Sequence, residues 1–293
     1  IGSPSDVHWR SISKDNILTL YGLDANSRIA DPLDASRIFS WLICESRDDK
    51  GNGLRYIYKK EDGDYQPRPG QADPFKQAHQ LNRGDTSDPR RTAQRYLQRI
   101  LYGNLKPLLA TQGQRPLYLS DLPNPPTDSS ADWLFEVRFD YGELDEDDPM
   151  GRPEKPWLYR HDAFSTYRPG FEVRTCRRCE RVLMLHHIPD QPAQPGYQGV
   201  VRSTEFTYDD ELDPNLATQP VYSFLKQVVQ TGWKQEAGSS TRRSLPPVEF
   251  AYSEPIVQDV VEEVDPQSAQ NLPIGLDGSA YRWIDLHGEG IPG

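Results

Sequence analysis

Two cysteines and two histidines in one short stretch are the residues of this sequence best suited to chemistry. Cys176 and Cys179 form a C-x-x-C pair, and His186 and His187 follow on the same stretch. A redox pair needs a helix N-terminus that lowers one thiol pKa. A zinc site needs a second pair of ligands, which only Cys44, His186 and His187 could supply. An enzyme or metal site around Cys176, Cys179 and His186 is therefore one interpretation of the chain.

The stretch that carries these residues favours a structural role. FEVRTCRRCERVLMLHH (171–187) contains no Gly or Pro and mixes β-branched, aromatic and basic residues. It predicts one long strand, half exposed and basic over 174–181 and buried over 182–185. A helix over 177–187 is the less favoured alternative. On a strand, the two thiols would point to opposite faces of the sheet, and so would the two adjacent histidines. With three cysteines in the chain, an odd number, we expect free thiols.

Three further motifs are weaker candidates for binding. Asp285, His287 and Glu289 alternate before glycines and resemble a calcium turn with two substitutions, although a purely structural turn fits the same residues. The acidic runs 143–148 and 260–265 lack the glycine and spaced ligands of an EF-hand, which indicates solvated segments. The basic residues of 174–181 suit either phosphate or intramolecular pairing with the acidic runs.

Composition excludes several function classes. The formal net charge of −11 argues against nucleic acid and anionic membrane as general partners. No apolar run approaches about 18 residues, so we expect no membrane-spanning segment and no direct membrane insertion. No G-x-S-x-G, P-loop or dinucleotide motif is present, and no signal peptide is visible. The residues thus indicate no catalytic residue and no cofactor.

Alternating patterns and turn residues predict an all-β fold. Strand–turn–strand patterns span 8–22 and 37–62, and further alternating segments cover 95–102, 132–141 and 200–208. We therefore expect a large antiparallel sheet built of hairpins, with long loops and little helix. A third interpretation remains open for such a fold, a carbohydrate- or surface-binding module that uses exposed Trp and Tyr side chains.

Seven stretches resemble the SpvB family, which comprises the N-terminal region of the Salmonella plasmid virulence protein SpvB and the B component of bacterial Tc insecticidal toxin complexes. They run in family order over nearly the whole chain, and the likeness to the Tc toxin B component is the closer. The stretches are WRSISKDNILTLYG (9–22), RIFSWLICESRDDKGN (37–52), QRYLQRILYGN (94–104), DWLFEVRFDYGE (132–143), FEVRTCRRCERVLMLHH (171–187), LPPVEF (245–250) and YRWIDLHGEGIPG (281–293).

This resemblance implies a role in containment. A family B component joins a C component with RHS repeats, and the two form a hollow β-shell around a cytotoxic effector. The A component is reached through a propeller in B. The resemblance makes 1–270 the shell region, without the front part of the family domain, and 271–293 the connection into the first propeller-type repeat. It implies a non-enzymatic scaffold, made in the bacterial cytoplasm and secreted within a toxin complex. The family's transferase domain lies elsewhere, so no catalytic residue carries over.

Overall fold

Antiparallel strands dominate the chain, as the sequence predicts. A computed structural model describes residues 7–68, 73, 80, 83, 85, 87–145, 155–192, 194–212, 222–236, 239–253, 263, 265–270 and 284. Among these described residues, strand accounts for 46% and helix for 9%, which confirms the all-β prediction. None of the helices within these residues is long and apolar enough to cross a membrane.

The regular elements are mostly short strands. The strands are β1 (Trp9–Ile12), β2 (Leu18–Tyr21), β3 (Arg28–Asp31), β4 (Asp34–Trp41), β5 (Ile43–Arg47), β6 (Gly53–Lys60), β7 (Arg95–Asn104), β8 (Trp133–Asp140), β9 (Phe164–Thr166), β10 (Val173–Thr175), β11 (Arg181–Ile188), β12 (Tyr197–Tyr208), β13 (Leu225–Glu236), β14 (Ser239–Ser244) and β15 (Val248–Glu249). The helices are α1 (Asp209–Leu212) and α2 (Pro266–Ala269), with 3-10 turns at Ala25–Ser27, Pro89–Thr92, Leu119–Asp121 and Ser130–Asp132.

One large antiparallel sheet of 11 strands holds most of these elements. Its order is β1-β2-β5-β6-β7-β8-β11-β12-β13-β14, with β15 beside β13. The pairs β3–β4 and β9–β10 form two separate two-stranded sheets. The chain divides into two compact units, Ile1–Ala251 and Tyr252–Gly293, and the large sheet belongs to the first. The boundary expected between 270 and 271 stays a prediction.

The first hairpin forms where the pattern predicts it. Trp9 pairs with Tyr21 and Ile12 with Leu18. Asn16 in the connecting turn has a φ of 57°, in the left-handed region that asparagine tolerates better than most residues.

The next predicted strand, 37–46, is divided between two sheets. β4 ends at Trp41 in a small sheet, whereas β5 begins at Ile43 in the large one. Leu42 lies between them, and its N–H donates to the Ser27 carbonyl while its own carbonyl accepts from the Gly22 N–H, both at 2.8 Å. These local bonds hold Leu42 between the two ladders.

The single long strand predicted over 171–187 is wrong. The structure has two strands there, β10 and β11, separated by Cys176–Glu180. The N–H of Cys176 donates to the Tyr96 hydroxyl at 2.8 Å, outside any strand ladder. The arginines of this connection turn toward carboxylates elsewhere in the chain, which a continuous strand would not allow. The helix alternative over 177–187 is also wrong, since β11 covers most of that range.

The two faces of the large sheet differ in burial. On one face, Leu101, Glu136, Leu185 and Val200 lie opposite one another on β7, β8, β11 and β12, and all four are buried. Loop residues such as Leu108, Leu119, Leu122 and Leu144 pack on this side and complete its core. We call it the covered face.

The opposite side of the same strands is the uncovered face. Tyr56, Ile100, Val137, Met184 and Arg202 form a row across β6, β7, β8, β11 and β12. All are half-buried or exposed, and the Met184 side chain retains 37% of its accessible surface. The charged residues of β8 therefore lie on the buried side, and Val137 lies on the solvent side.

Candidate functional site

The C-x-x-C cysteines lie in two separate aromatic clusters. Cys176 packs with Tyr65 and Tyr159, and its thiol donates to the Tyr65 hydroxyl at 3.4 Å. Cys179 packs against a cluster of Tyr96, Tyr141 and Trp157. Both thiols are free, and burial raises the pKa of each to about 12. A thiol with so high a pKa is protonated at neutral pH, so neither cysteine is an activated nucleophile.

The two histidines lie on opposite faces of β11 and do not share a site. His187 is buried on the covered face, where its Nε2 lies 3.1 Å from a Glu136 carboxylate oxygen. His186 lies on the uncovered face with its ring centroid 5.0 Å from that of Phe135. Burial and the neighbouring His187 lower the pKa of His186, which favours the neutral imidazole.

Metal binding finds no support among the described residues. No group of three or more His, Cys, Asp or Glu side chains there is arranged to hold an ion. The calcium-turn residues Asp285, His287 and Glu289 lie outside the described residues, so that hypothesis stays a prediction.

The acidic run 143–148 is not solvated where the structure describes it. Glu143 and Leu144 are buried, and Glu143 accepts from the Lys59 ammonium at 2.9 Å. Residues 146–148 lie outside the described part of the chain, as does most of 260–265, of which 263 and 265 are described and exposed.

The basic stretch 174–181 forms an internal anchor. Arg174, Arg177 and Arg178 are buried, so the predicted exposed basic face is wrong. The arginines do pair within the chain, but the carboxylates that bind Arg177, Arg178 and Arg181 lie outside the acidic runs, so the predicted pairing with those runs is not confirmed. We call Arg174, Arg177, Arg178 and Arg181 the arginine hub. Guanidinium groups suit this position because five N–H donors in a planar fork satisfy several buried acceptors at once.

Arg177 is the most enclosed member of the arginine hub. Its side chain and that of Glu61 are both 0% exposed, and two of its nitrogens donate to the Glu61 carboxylate. Further bonds reach Asp62 Oδ1 at 2.9 Å and the carbonyls of Trp157 and Asp64, each at 2.8 Å. The guanidinium carbon also lies 4.3 Å from the Trp157 ring centroid. One side chain thus joins the end of β6 to the segment around Trp157.

Two other hub arginines hold the segments after β8 and β12. Arg178 donates to Asp210 Oδ1 at 2.7 Å, and Arg181 donates to Asp140 Oδ2, also at 2.7 Å. Burial alone would raise the pKa of Asp210, but the His161 ring, whose Nδ1 lies 3.4 Å from Asp210 Oδ2, and the hydrogen bond from Arg178 lower it well below its usual range. These pairs tie the end of β8 and the helix α1 to the arginine hub.

A second buried ionic cluster surrounds Glu136 at the centre of the covered face. Arg99 Nε and Arg138 Nε donate to one carboxylate oxygen at 2.7 and 2.8 Å, and His187 contacts the other. Burial alone would raise the pKa of Glu136, but these hydrogen bonds and the charge of Arg138 lower it well below its usual 4.5. The cluster therefore spans three neighbouring strands and fixes their mutual register.

Aromatic side chains continue across the uncovered face. The ring centroids of Tyr102 and Phe135 are 5.1 Å apart, those of Phe135 and His186 5.0 Å, and those of His186 and Tyr197 6.3 Å. The first pair is tilted and the other two pack edge-on, so the rings stabilise strand pairing more than they offer a flat platform. The four rings form a continuous aromatic surface across β7, β8, β11 and β12.

Comparison with known proteins gives this surface a context. A model of the family described as Salmonella virulence plasmid 65kDa B protein, SpvB, matches residues 2–188. The chain belongs to the SpvB family. The mono(ADP-ribosyl)transferase SpvB of Salmonella typhimurium is 36% identical over 192 residues, which are 64% of this chain and 28% of that protein. The SpvB family chain described here therefore spans 28% of the length of this curated relative.

Solved structures extend the similarity to the Tc toxin B component. The N-terminal domain of effector protein SpvB from Salmonella typhimurium strain LT2 is 31% identical, with a TM-score of 0.58, over 78% of this chain and 61% of that one. A chain of TcdB2-TccC3-Cdc42 is 28% identical with a TM-score of 0.64, over 97% of this chain and 12% of that one. A chain of the Photorhabdus luminescens Tc holotoxin pore is 29% identical, with a TM-score of 0.64, over 97% of this chain and 12% of that one. These findings confirm the predicted family and the shell-like β-fold.

The sequence did not indicate which carboxylates pair with the arginine hub. Glu61 precedes Arg177 by 116 positions, and Asp140 precedes Arg181 by 41. The available signal was the charge density of 174–181 inside a strand-like stretch that also contains apolar residues, which points to internal partners without naming them.

Proposed function

We propose that this chain is a wall segment of the β-shell of a bacterial toxin-complex B subunit. The observation that carries the proposal is the likeness over 97% of the chain to one chain of TcdB2-TccC3-Cdc42. In this proposal the partners are a C component with RHS repeats, the effector that the shell encloses, and an A component reached through a propeller. Residues 271–293 would lead into that propeller. The assembled complex would act outside the bacterium, without binding nucleic acid or inserting this segment into a membrane.

The two faces of the large sheet suit the two sides of such a wall. The covered face carries buried ion clusters and an apolar core, so it needs no partner. The uncovered face carries the exposed Met184 beside the half-buried Val137 and Phe135, and an apolar surface of this kind in a soluble protein marks an interaction site. We infer that the uncovered face lines the shell cavity and contacts the enclosed effector.

The proposed role is non-enzymatic. The protonated thiols of Cys176 and Cys179 and the separation of His186 from His187 support it, because neither pair forms a nucleophile–base arrangement. Containment requires a rigid surface, and the arginine hub and the Glu136 cluster supply that rigidity by fixing loops and strand register.

Thiol labelling tests which side of the wall faces inward. Met184→Cys places a thiol on the uncovered face, and Gln112→Cys places one on an exposed loop beside the covered face. The native cysteines contribute little labelling because burial protects them. In the isolated chain, a bulky PEG-maleimide should label both new thiols.

In the parent protein assembled with its C component, the Gln112→Cys thiol should still react and the Met184→Cys thiol should be protected. A Met184→Cys thiol that reacts equally fast in the isolated chain and in the assembly would contradict the proposal. Protection of the Gln112→Cys thiol alone would place the opposite face inside the shell.

A further inference from the structure

A cavity of 460 Å³ lies away from the large sheet and has no part in the proposed wall function. Three parts of the chain that are distant in sequence form it: the β3–β4 hairpin, Arg83 with Arg90, and the connection between β9 and β10. Its lining combines arginines with apolar and aromatic groups, among them Leu33, Arg37, Arg83, Arg90, Tyr167 and Phe171.

Arg37 is held in one orientation although half of it faces solvent. Its Nη1 donates to Asp31 Oδ2 at 2.7 Å, and its guanidinium carbon lies 6.0 Å from the centroid of the Phe171 ring. Its Nη2 lies 3.1 Å from the position that a Cβ on Gly170 would occupy, and Gly170 has a φ of +82°. The side chain is nevertheless 51% exposed, so it presents oriented donors to the cavity.

The Tyr167 ring lines the same cavity as these donors and is held in one orientation. Its hydroxyl donates to Glu172 Oε1 at 3.2 Å, and Glu172 also binds the guanidinium of Arg83. The ring itself is 65% exposed, an unusual position for a side chain whose polar end is already bonded. A fixed, solvent-facing ring suits stacking against the C–H face of a sugar.

The charge of the cavity indicates the kind of anion. Arg90 adds a second exposed guanidinium, 63% accessible, held by two bonds to Asp88 at 2.9–3.0 Å from its Nε. Each of the three arginines that line the cavity is paired with a carboxylate, Arg37 with Asp31, Arg83 with Glu172 and Arg90 with Asp88, so the arginines leave no uncompensated charge. The remaining exposed guanidinium donors therefore suit a monoanion such as a carboxylate better than a phosphate dianion, which would introduce two uncompensated charges.

We propose that this cavity binds a carboxylate-bearing saccharide. The sugar carboxylate accepts from Arg37 and Arg90, and the sugar ring packs on Tyr167. Both sialic acids and uronic acids present this chemistry, and the experiment separates them. The proposal is independent of the shell function, since the cavity lies outside the large sheet.

The test is calorimetric titration of the chain with 3′-sialyllactose and with a galacturonic acid trisaccharide, against lactose and inorganic phosphate. We expect one carboxylated sugar to bind and lactose not to bind. The sugar that binds shows whether the cavity takes a sialic acid or a uronic acid. Arg37→Lys should weaken binding about tenfold, because it keeps the charge but loses the planar fork. Tyr167→Ala should weaken binding similarly, whereas Tyr167→Phe retains the ring and should bind nearly as well as the wild type.

Arg202→Lys, an exposed arginine on the uncovered face, is the matched control and should bind as the wild type does. Circular dichroism of each variant checks the fold. The proposal is overturned by absence of binding to both acidic sugars, by equal binding of lactose, or by phosphate competing at similar concentration. Unchanged affinity in well-folded Arg37→Lys and Tyr167→Ala variants would also overturn it.

Discussion

Replacement of Arg177 by methionine should destabilise the fold more than any surface substitution. Methionine has a similar length but no donors, so the substitution leaves the Glu61 carboxylate buried without its cation. Both side chains are 0% exposed, and Arg177 also satisfies the carbonyls of Asp64 and Trp157. Removing one partner of such a buried pair costs about 3–5 kcal/mol of unfolding free energy.

The companion variants separate charge from geometry. Arg177→Lys keeps one positive charge but places it on a compact ammonium group that reaches fewer of the acceptors. We therefore expect an intermediate loss of unfolding free energy, about 2 kcal/mol. In the double variant Arg177→Met with Glu61→Gln, the buried charge disappears. The double variant should therefore recover part of the loss, with a coupling of about 1–3 kcal/mol.

Urea unfolding followed by tryptophan fluorescence measures these differences. Arg90→Met removes an exposed arginine that has the same kind of two-bond carboxylate pair, with Asp88, and it should leave the urea midpoint unchanged. The reasoning fails if Arg177→Met shifts the midpoint no more than Arg90→Met does. It also fails if the double-variant cycle shows no coupling, since Glu61 would then not depend on Arg177.

Four further predictions concern the thiols, the carboxylates of Glu136 and Glu211, and the sheet edge. Joint replacement of Cys176 and Cys179 by serine should leave metal content at background and lower stability only modestly; stoichiometric zinc in the purified wild type would refute this. Glu136→Gln should be less stable than the wild type at about pH 7, and the deficit should shrink near pH 3. The lowered pKa of Glu136 means that its contribution is present above 4.5 and is lost as the pH falls. Although 37% of the Glu211 side chain is exposed, its partial desolvation outweighs the charge of Arg178 and raises its pKa to about 7, so its contribution is present below 4.5 and is lost as the pH rises through about 7. Glu211→Gln should therefore exceed the wild type in stability at about pH 8 and match it at about pH 4, and the reverse order in thermal melts would contradict this assignment. Residues 245–252 are exposed beside β13, and their amide hydrogens should exchange faster in the isolated chain than in the full parent protein. The isolated chain should also have the lower melting temperature. Full protection of that segment in both proteins would refute the argument from open edges.

Local patterns predicted the hairpins well and the burial poorly. The pairing of Trp9 with Tyr21, the strand over Trp133–Asp140 and the strand that begins at Arg95 all lie where alternation and turn residues indicated. Period-2 alternation depends on neighbours in sequence, so it is readable from the chain. The alternation of β8 was right, but which of its faces is buried depends on the loops that cover it.

The arginine hub shows why the rest could not be predicted. A run such as 174–181 is compatible with an exposed basic strand until its carboxylate partners are known, and those partners are distant in sequence. The predicted strand is interrupted at Cys176–Glu180, because the arginine side chains point toward their distant partners in directions that a regular strand ladder does not allow. Similarly, the cavity around Arg37 and Tyr167 combines three segments that share no sequence motif.

The most direct test of the central claim is a cryo-EM reconstruction of the parent protein assembled with its C component and effector. The account predicts that the large sheet is part of a closed wall, with Met184, Val137 and Phe135 facing an enclosed cavity that contains effector density. A reconstruction in which this sheet stands outside any enclosure, or turns that row toward bulk solvent, would contradict the account.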